Sequence, residues 1–440
     1  MDRRLRVSAN GRTVGELREH EDLWQFEYAP AWAAAPDAYD LSPALARAAP
    51  LHVDGATHRP VQWYFDNLLP EDELRGVLAK EAALSADDAF GLLAYYGAES
   101  AGSLVLLEPG TETPLGRGLA PLPLAELSRR IANLPHTSLG RDAPRPMSLA
   151  GAQHKLLVVY DGERLYEPLA GTPSTHTLKP GHPGPDYPAA VMNEYFTMRL
   201  ARAAGLAVPD VALLFVPQPV YLVARFDRRR DPAAGTTERL HVIDACQLLN
   251  KSRAFKYTAA DLAALREAAG LCRSRAAARL QLYRWLVFNL LVGNADNHLK
   301  NVSFLVNAGG INLAPAYDLL GTAAYDTRAL ANERAIWPAT PLALSIGAAR
   351  TFAEVTRTDV LAAARTLGLA EHTARRELDR LLKFLPAAAQ ALIADIQAHA
   401  AQSAEHSPDP LAARAHLGAG MRLLAVAARI VLPDMAARLA

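Results

Sequence analysis

The chain has 440 residues, with 46 Lys plus Arg against 46 Asp plus Glu, 50% hydrophobic and 21% charged residues. That balance excludes a disordered chain and any overall electrostatic pull toward nucleic acid, anionic membrane or acidic substrate. Two cysteines, Cys246 and Cys272, without metal-ligand spacing around either, exclude a disulfide framework and a zinc site. The start MDRRLRVSANGRT lacks an apolar core of signal-peptide length, and no uncharged apolar run reaches about 18 residues, so a cytoplasmic protein with no membrane contact is expected.

The first elements are β. LRVSANGRTVGEL (5–17) reads as two strands around Asn10-Gly11, a pair suited to a type I′ turn, and DLWQFEYAP sets Trp24, Phe26 and Tyr28 on one face at period two. The period then turns helical, with a helix start at Ser85 to Asp88, and SLVLLEP (103–109) returns to strand. Trp63, Tyr64 and Phe65 read as core packing. An α+β unit should end near residue 110. RDAPRPM reads as a linker or mobile loop after one helix, PLAELSRRIANL. Next come the strands KLLVVYDG and THTLKP, the amphipathic helix AAVMNEYFTMRLARAAGL, and the strands VALLFVP and YLVARFDRR; the run RRRD (228–231) reads as a solvated loop. Beyond about residue 240 the pattern is helical, interrupted by NVSFLVNAGGINLAPAYDLLG and a loop at 321–345.

The interruption follows the apolar run YRWLVFNLLV, which leads straight into GNADNHLKN (293–301). Phosphoryl transfer needs a carboxylate to take the hydroxyl proton and oxygen ligands for magnesium, and Asp296 and Asn301 stand five positions apart, as do base and metal-binding Asn in H-R-D-x-x-x-x-N. A kinase reading then requires a second magnesium-binding Asp after a short hairpin, a strand Lys for the phosphates, and a helical Glu for that Lys. Asp318, Lys179 and Glu194 answer in the required order, although Glu194 also reads as an ordinary exposed helix residue. No G-x-G-x-x-G precedes Lys179. SLAGAQHK (148–155) instead offers Gly151 for backbone approach to phosphate and Lys155 for charge.

VGEL, YFDNLLPE, SLAGAQHK, NEYFTMRLARAAGLAVPD, ARFDRR, GNADNHLKN and PAYD follow one another in the order of the HipA toxins' landmarks. Over nearly its whole length the chain resembles this family, the serine/threonine kinases of bacterial toxin-antitoxin modules. The resemblance implies an α+β, two-lobed protein-kinase-like fold: an N-terminal α/β lobe with an additional antiparallel sheet subdomain, and an all-helical C-terminal lobe. Its divisions would be 1–110, 111–228 and 229–440. It implies ATP and Mg²⁺ as cofactors, Asp296 as base with His298 beside it, and Asn301 and Asp318 on the metal. Ala152, Gln153, Lys155, Lys179, Glu194 and Lys300 would serve ATP, with Arg225 and Phe226 as the hinge beside adenine. Ser148 matches a serine that the family autophosphorylates; taken alone, it reads as a turn serine. Ala224 and His154 stand where acidic residues are found in the family, leaving one hinge contact and the closing of the loop open.

The implied activity is a growth-arresting protein kinase that phosphorylates glutamyl-tRNA synthetase and is neutralised by a HipB-like helix-turn-helix antitoxin, through which alone it meets operator DNA. Two other readings stay open: a catalytically weak corepressor of the antitoxin, and a small-molecule kinase.

Overall fold

Asn10 and Gly11 both take positive φ, 48° and 81°, as a type I′ turn demands, and join β1 (Arg3–Ala9) to β2 (Arg12–His20). The structure is a computed structural model describing residues 2–111, 117–144, 146–147, 149–231 and 236–440. With β3 (Leu23–Tyr28), β4 (Leu51–Val53) and β5 (Leu104–Leu107), the hairpin forms an antiparallel sheet in the order β4-β3-β2-β1-β5. Trp24, Phe26 and Tyr28 all point into the core, as their alternation predicts. Asp88 caps the helix Ala89–Tyr96 by accepting from Gly91 N at 3.0 Å.

The chain forms two compact units. The first comprises Met1–Lys179, Ala224–Phe255 and Ser303–Ala314; the second comprises Pro180–Val223, Lys256–Val302 and Pro315–Ala440. Besides the sheet above, the first unit holds neighbouring antiparallel strands at Arg117–Pro121, Leu165–Ala170, Leu156–Tyr160 and His176–Pro180. It also holds a three-stranded sheet of His241–Asp244, Ser303–Asn307 and Gly310–Leu313. The second unit is mainly helical, built on Ala190–Ala203, Arg275–Val292, Glu371–Glu405 and Pro410–Val426, and carries the hairpin Val211–Phe215 with Pro219–Ala224.

Three expectations about elements are corrected. The region beyond residue 240 contains strands at His241–Asp244, and at Pro341–Ile346 with Ala349–Thr351, besides its helices. In HVID the β-branched Val242 and Ile243 lie in a run too short for a helix, and all four residues are buried. The helix Ala190–Ala203 is not amphipathic: every residue from Ala190 to Met198 is buried, because Glu371–Glu405 and Pro410–Val426 both pack on it. RRRD is a strand, Arg228–Asp231, paired with Thr236–Arg239, and Arg228 turns its side chain inward.

Glu371–Glu405 and Pro410–Leu439 are long and apolar enough to cross a membrane by length and composition. In this fold they pack against each other and supply Leu378, Leu381, Leu385, Leu423 and Leu424 to the core.

Candidate active site

The apolar run is the second half of the helix Arg275–Val292, whose residues from Trp285 to Val292 are all buried. The helix ends because Gly293 enters the left-handed region at φ 68°, where a Cβ would lie 2.7 Å from Val431 Cγ1 and 2.9 Å from Ala323 Cβ. Polar side chains then close the loop on itself. Asn289, bonded to Trp285 O, accepts from Asn294 Nδ2 at 2.7 Å, and Asn294 Oδ1 accepts from Asp296 N at 2.9 Å. Asp296 O accepts from Asn301 Nδ2 at 2.8 Å and from His298 N at 3.0 Å. Asn301 thereby spends an amide hydrogen inside the loop, and its carbonyl oxygen is the kind of atom a hard cation takes.

The segment carrying Asp318 is riveted to this loop. Tyr317 donates to Lys300 O at 2.6 Å; Thr322 Oγ1 accepts from Ala295 N at 2.7 Å and donates to Gly293 O; Ala323 N donates to Gly293 O at 2.9 Å. Asn193 clamps the same segment to the helix Ala190–Ala203 by exchanging two bonds with the Gly321 backbone, at 3.1 and 2.9 Å. Burial pushes the Asp296 carboxyl up from the usual aspartate range and the Asp318 charge adds to this, while His298 and the Tyr257 hydroxyl, 2.6 Å from Oδ1, pull it down. Burial, Glu194 and Asp318 together push the Tyr221 phenol up. Asp296, His298, Lys300, Asn301, Asp318 and Glu194 are thus gathered in the second unit, and Glu194 is buried rather than exposed. Asn301 and Asp318 suit magnesium, which takes few protein oxygens and completes its shell with phosphate and water.

Ala152, Gln153, Lys155, Lys179, Arg225 and Phe226 belong to the first unit. Gly151 takes φ 111° and its carbonyl accepts from Glu71 N at 3.2 Å, so the loop is docked on the end of the LLPE run; Lys155 Nζ lies 2.6 Å from Ala150 O. Lys179 is buried on the strand His176–Pro180. The Arg225 guanidinium is engaged internally, 3.1 Å from Glu99 Oε1, 2.7 Å from Asp227 Oδ2 and 2.9 Å from Ser174 Oγ, and its backbone N–H donates to Thr175 O at 2.9 Å. Glu99 also takes Arg228 at 2.9 Å and Arg239. Ser148 lies outside the described residues.

The description "HipA-like C-terminal domain" matches residues 147–397 and "HipA N-terminal domain" matches residues 5–107. The chain belongs to the HipA family. It is 35% identical to Y4mE of Sinorhizobium fredii, named as a kinase candidate, over 94% of this chain and 98% of that one. To the serine/threonine-protein kinase toxin HipA of Shewanella oneidensis it is 31% identical, over 71% of this chain and 74% of that one. The solved structure of the Shewanella oneidensis HipA, HipB and operator DNA complex contains a chain that superposes with a TM-score of 0.76 at 26% identity, covering 98% of this chain and 99% of that one. The α+β architecture is therefore the HipA fold. Within this HipA-family chain, sequence reasoning missed Asn193, Tyr257, Tyr317 and Thr322. Tyr317 was within reach, inside PAYD; the others carry no local pattern, since each acts across a long sequence separation.

Proposed function

We propose that this HipA-family chain is an ATP- and Mg²⁺-dependent serine/threonine protein kinase that acts as the toxin of a toxin-antitoxin pair. The observation that supports the reading most is the closed loop 293–301 with the segment around Asp318 bonded to it, a frame that would hold Asp296 and the oxygens of Asn301 and Asp318 steady. Asp296 accepts the proton of the substrate hydroxyl while that oxygen bonds to the γ-phosphorus; the bond to the departing ADP oxygen breaks and its electron pair leaves with ADP. Asn301 and Asp318 would hold the magnesium, which would supply charge neutralisation at the phosphates. Lys155, Lys179 and Lys300 serve the phosphates, Ala152 and Gln153 lie in the phosphate loop, Glu194 serves ATP binding, and Arg225 and Phe226 form the hinge beside adenine. His298 tunes Asp296 through its charge. The functional divisions are 1–110, 111–228 and 229–440.

In this reading the protein substrate is glutamyl-tRNA synthetase, its phosphorylation arrests growth in the cytoplasm, and Ser148 is an autophosphorylation site. The partner is a HipB-like antitoxin, consistent with the Shewanella oneidensis HipA that was solved together with HipB and operator DNA. The even balance of 46 basic and 46 acidic residues supports DNA contact through the antitoxin rather than through this chain. Asp296→Ala should abolish phosphate transfer from radiolabelled ATP to the synthetase, and with it toxicity, while leaving the circular dichroism spectrum unchanged. Retained transfer would remove Asp296 as the base; transfer to free sugars and to no protein would favour a small-molecule kinase.

A further inference from the structure

Asp296 has its backbone fixed from both sides, through Asp296 N on Asn294 Oδ1 at 2.9 Å and through Asp296 O, which takes Asn301 Nδ2 at 2.8 Å and His298 N at 3.0 Å. None of these bonds sets the rotation of the carboxylate. One side chain does. Tyr257 Oη lies 2.6 Å from Asp296 Oδ1 and donates to it.

Tyr257 is itself held. Its ring meets the His298 ring edge-on at 4.8 Å and 85°, and Lys256 Nζ sits 5.2 Å from the ring centroid. Its carbonyl accepts from Ala260 N at 2.9 Å, and the neighbouring Lys256 O accepts from Leu299 N at 3.1 Å, stitching this segment to the loop it serves. The side chain remains 45% exposed, so it stands at the mouth of the site rather than in the core.

We propose that Tyr257 is a positioning residue for the phosphoryl-transfer reaction: by donating to Oδ1 it locks the Asp296 carboxylate so that Oδ2 meets the incoming serine or threonine hydroxyl. A general base works only when its lone pair lies on the line of the departing proton, and a carboxylate free to rotate spends much of its time elsewhere. With Oδ1 tied to a neutral phenol, Oδ2 takes the proton, and the phenol keeps its bond to Oδ1 after the carboxyl has become neutral. A protein substrate docked over the exposed ring excludes water from this bond and strengthens it. The sequence gives no hint of the arrangement, because Tyr257 precedes Asp296 by 39 positions.

This inference rests on Asp296 being the base, so the experiment uses three full-length proteins in parallel: wild type, Tyr257→Phe and Asp296→Ala. Tyr257→Phe keeps the ring, and with it the edge contact to His298, and removes only the hydroxyl. Expected is a fall in kcat of about tenfold, which converts to about 1.4 kcal/mol of transition-state stabilisation. The KM for ATP, the affinity for a non-hydrolysable ATP analogue and the Tm should all stay at wild-type values. A kcat within twofold of wild type would overturn the proposal, as would a loss confined to the KM for ATP or one explained by a lowered Tm. Transfer surviving in Asp296→Ala would instead remove the base itself, a failure that the Tyr257→Phe result does not mimic.

Discussion

His241 makes the first unit sensitive to acid, by an amount that follows from its surroundings. Its imidazole is buried, with Nε2 3.0 Å from Leu41 O, Nδ1 3.1 Å from Ser103 Oγ, and the Tyr39 ring stacked on it at 4.4 Å. The neutral ring, donating through Nε2 to Leu41 O and accepting at Nδ1 from Ser103, satisfies both nitrogens. Burial pushes its pKa down from 6.5 to about 4, with the hydrogen bond to Leu41 opposing this. The unfolded chain therefore binds a proton that the folded chain refuses between these two values, and stability rises with pH across that window. Between about pH 7.5 and about pH 5 the linkage removes about 2 kcal/mol, and close to 3 if the pH is taken down to about 4. His241→Gln offers an amide that can still donate toward Leu41 O and does not titrate. Urea unfolding of both proteins at the two pH values, with hydrogen exchange at the strand His241–Asp244 as a local probe, should give a pH-dependent loss about 2 kcal/mol smaller in the variant. An equal loss in both proteins would mean that His241 is not the group responsible.

Gly293→Ala must place a Cβ 2.7 Å from Val431 Cγ1 at a φ of 68°, so unfolding should become easier by about 2 kcal/mol and kinase activity should fall with it, as read by calorimetry and transfer assays. Glu99→Gln leaves Arg225, Arg228 and Arg239 with less compensating charge in the interior, and about 3 kcal/mol of stability should be lost, measured by denaturant titration. In the proposed reading Asp296 is the base and acts as the carboxylate; since its carboxyl is raised by burial, the acid limb of the kcat profile should lie above the ordinary aspartate range. His298→Ala, which removes a charge that holds that carboxyl down, should move the limb to still higher pH.

Asp296, Asn301 and Asp318 could be singled out because the pattern that marks them is short-range, the spacing of D-N-H-L-K-N and an aspartate placed directly after a hairpin, and the structure puts all three in the second unit. The strands of the first sheet were legible for a similar reason, since period-two alternation and Asn10-Gly11 act over a few residues. Tertiary burial overrode the rest. Nothing local distinguishes Glu194 on a buried helix from a glutamate on an exposed one, because the two helices that enclose it come nearly two hundred residues later. Arg228 looked solvated within a run of arginines, yet its partner Glu99 lies 129 positions upstream. Asn193 sits in a helix whose sequence suits a packed core, and its two bonds to Gly321 span 128 positions.

The abrupt change from YRWLVFNLLV to GNADNHLKN has a mechanical explanation. A catalytic carboxylate has to be placed to within a fraction of an ångström, and a loop alone does not give that precision. Here the fully packed end of the helix Arg275–Val292 fixes Asn289, Asn289 fixes Asn294, and Asn294 fixes Asp296, so rigidity passes from the core to Asp296, the proposed base, through three consecutive polar contacts. Asp318 is placed from the other side. It holds a left-handed φ of 56°, which costs about 1 kcal/mol, and Tyr317, Thr322 and Asn193 on either side of it supply the bonds that offset this. Strain of that kind persists only where its neighbours over-determine it. In the proposed reading the residues flanking Asp318 belong to the site as much as the aspartate does, and substitutions there should lower kcat before they lower Tm.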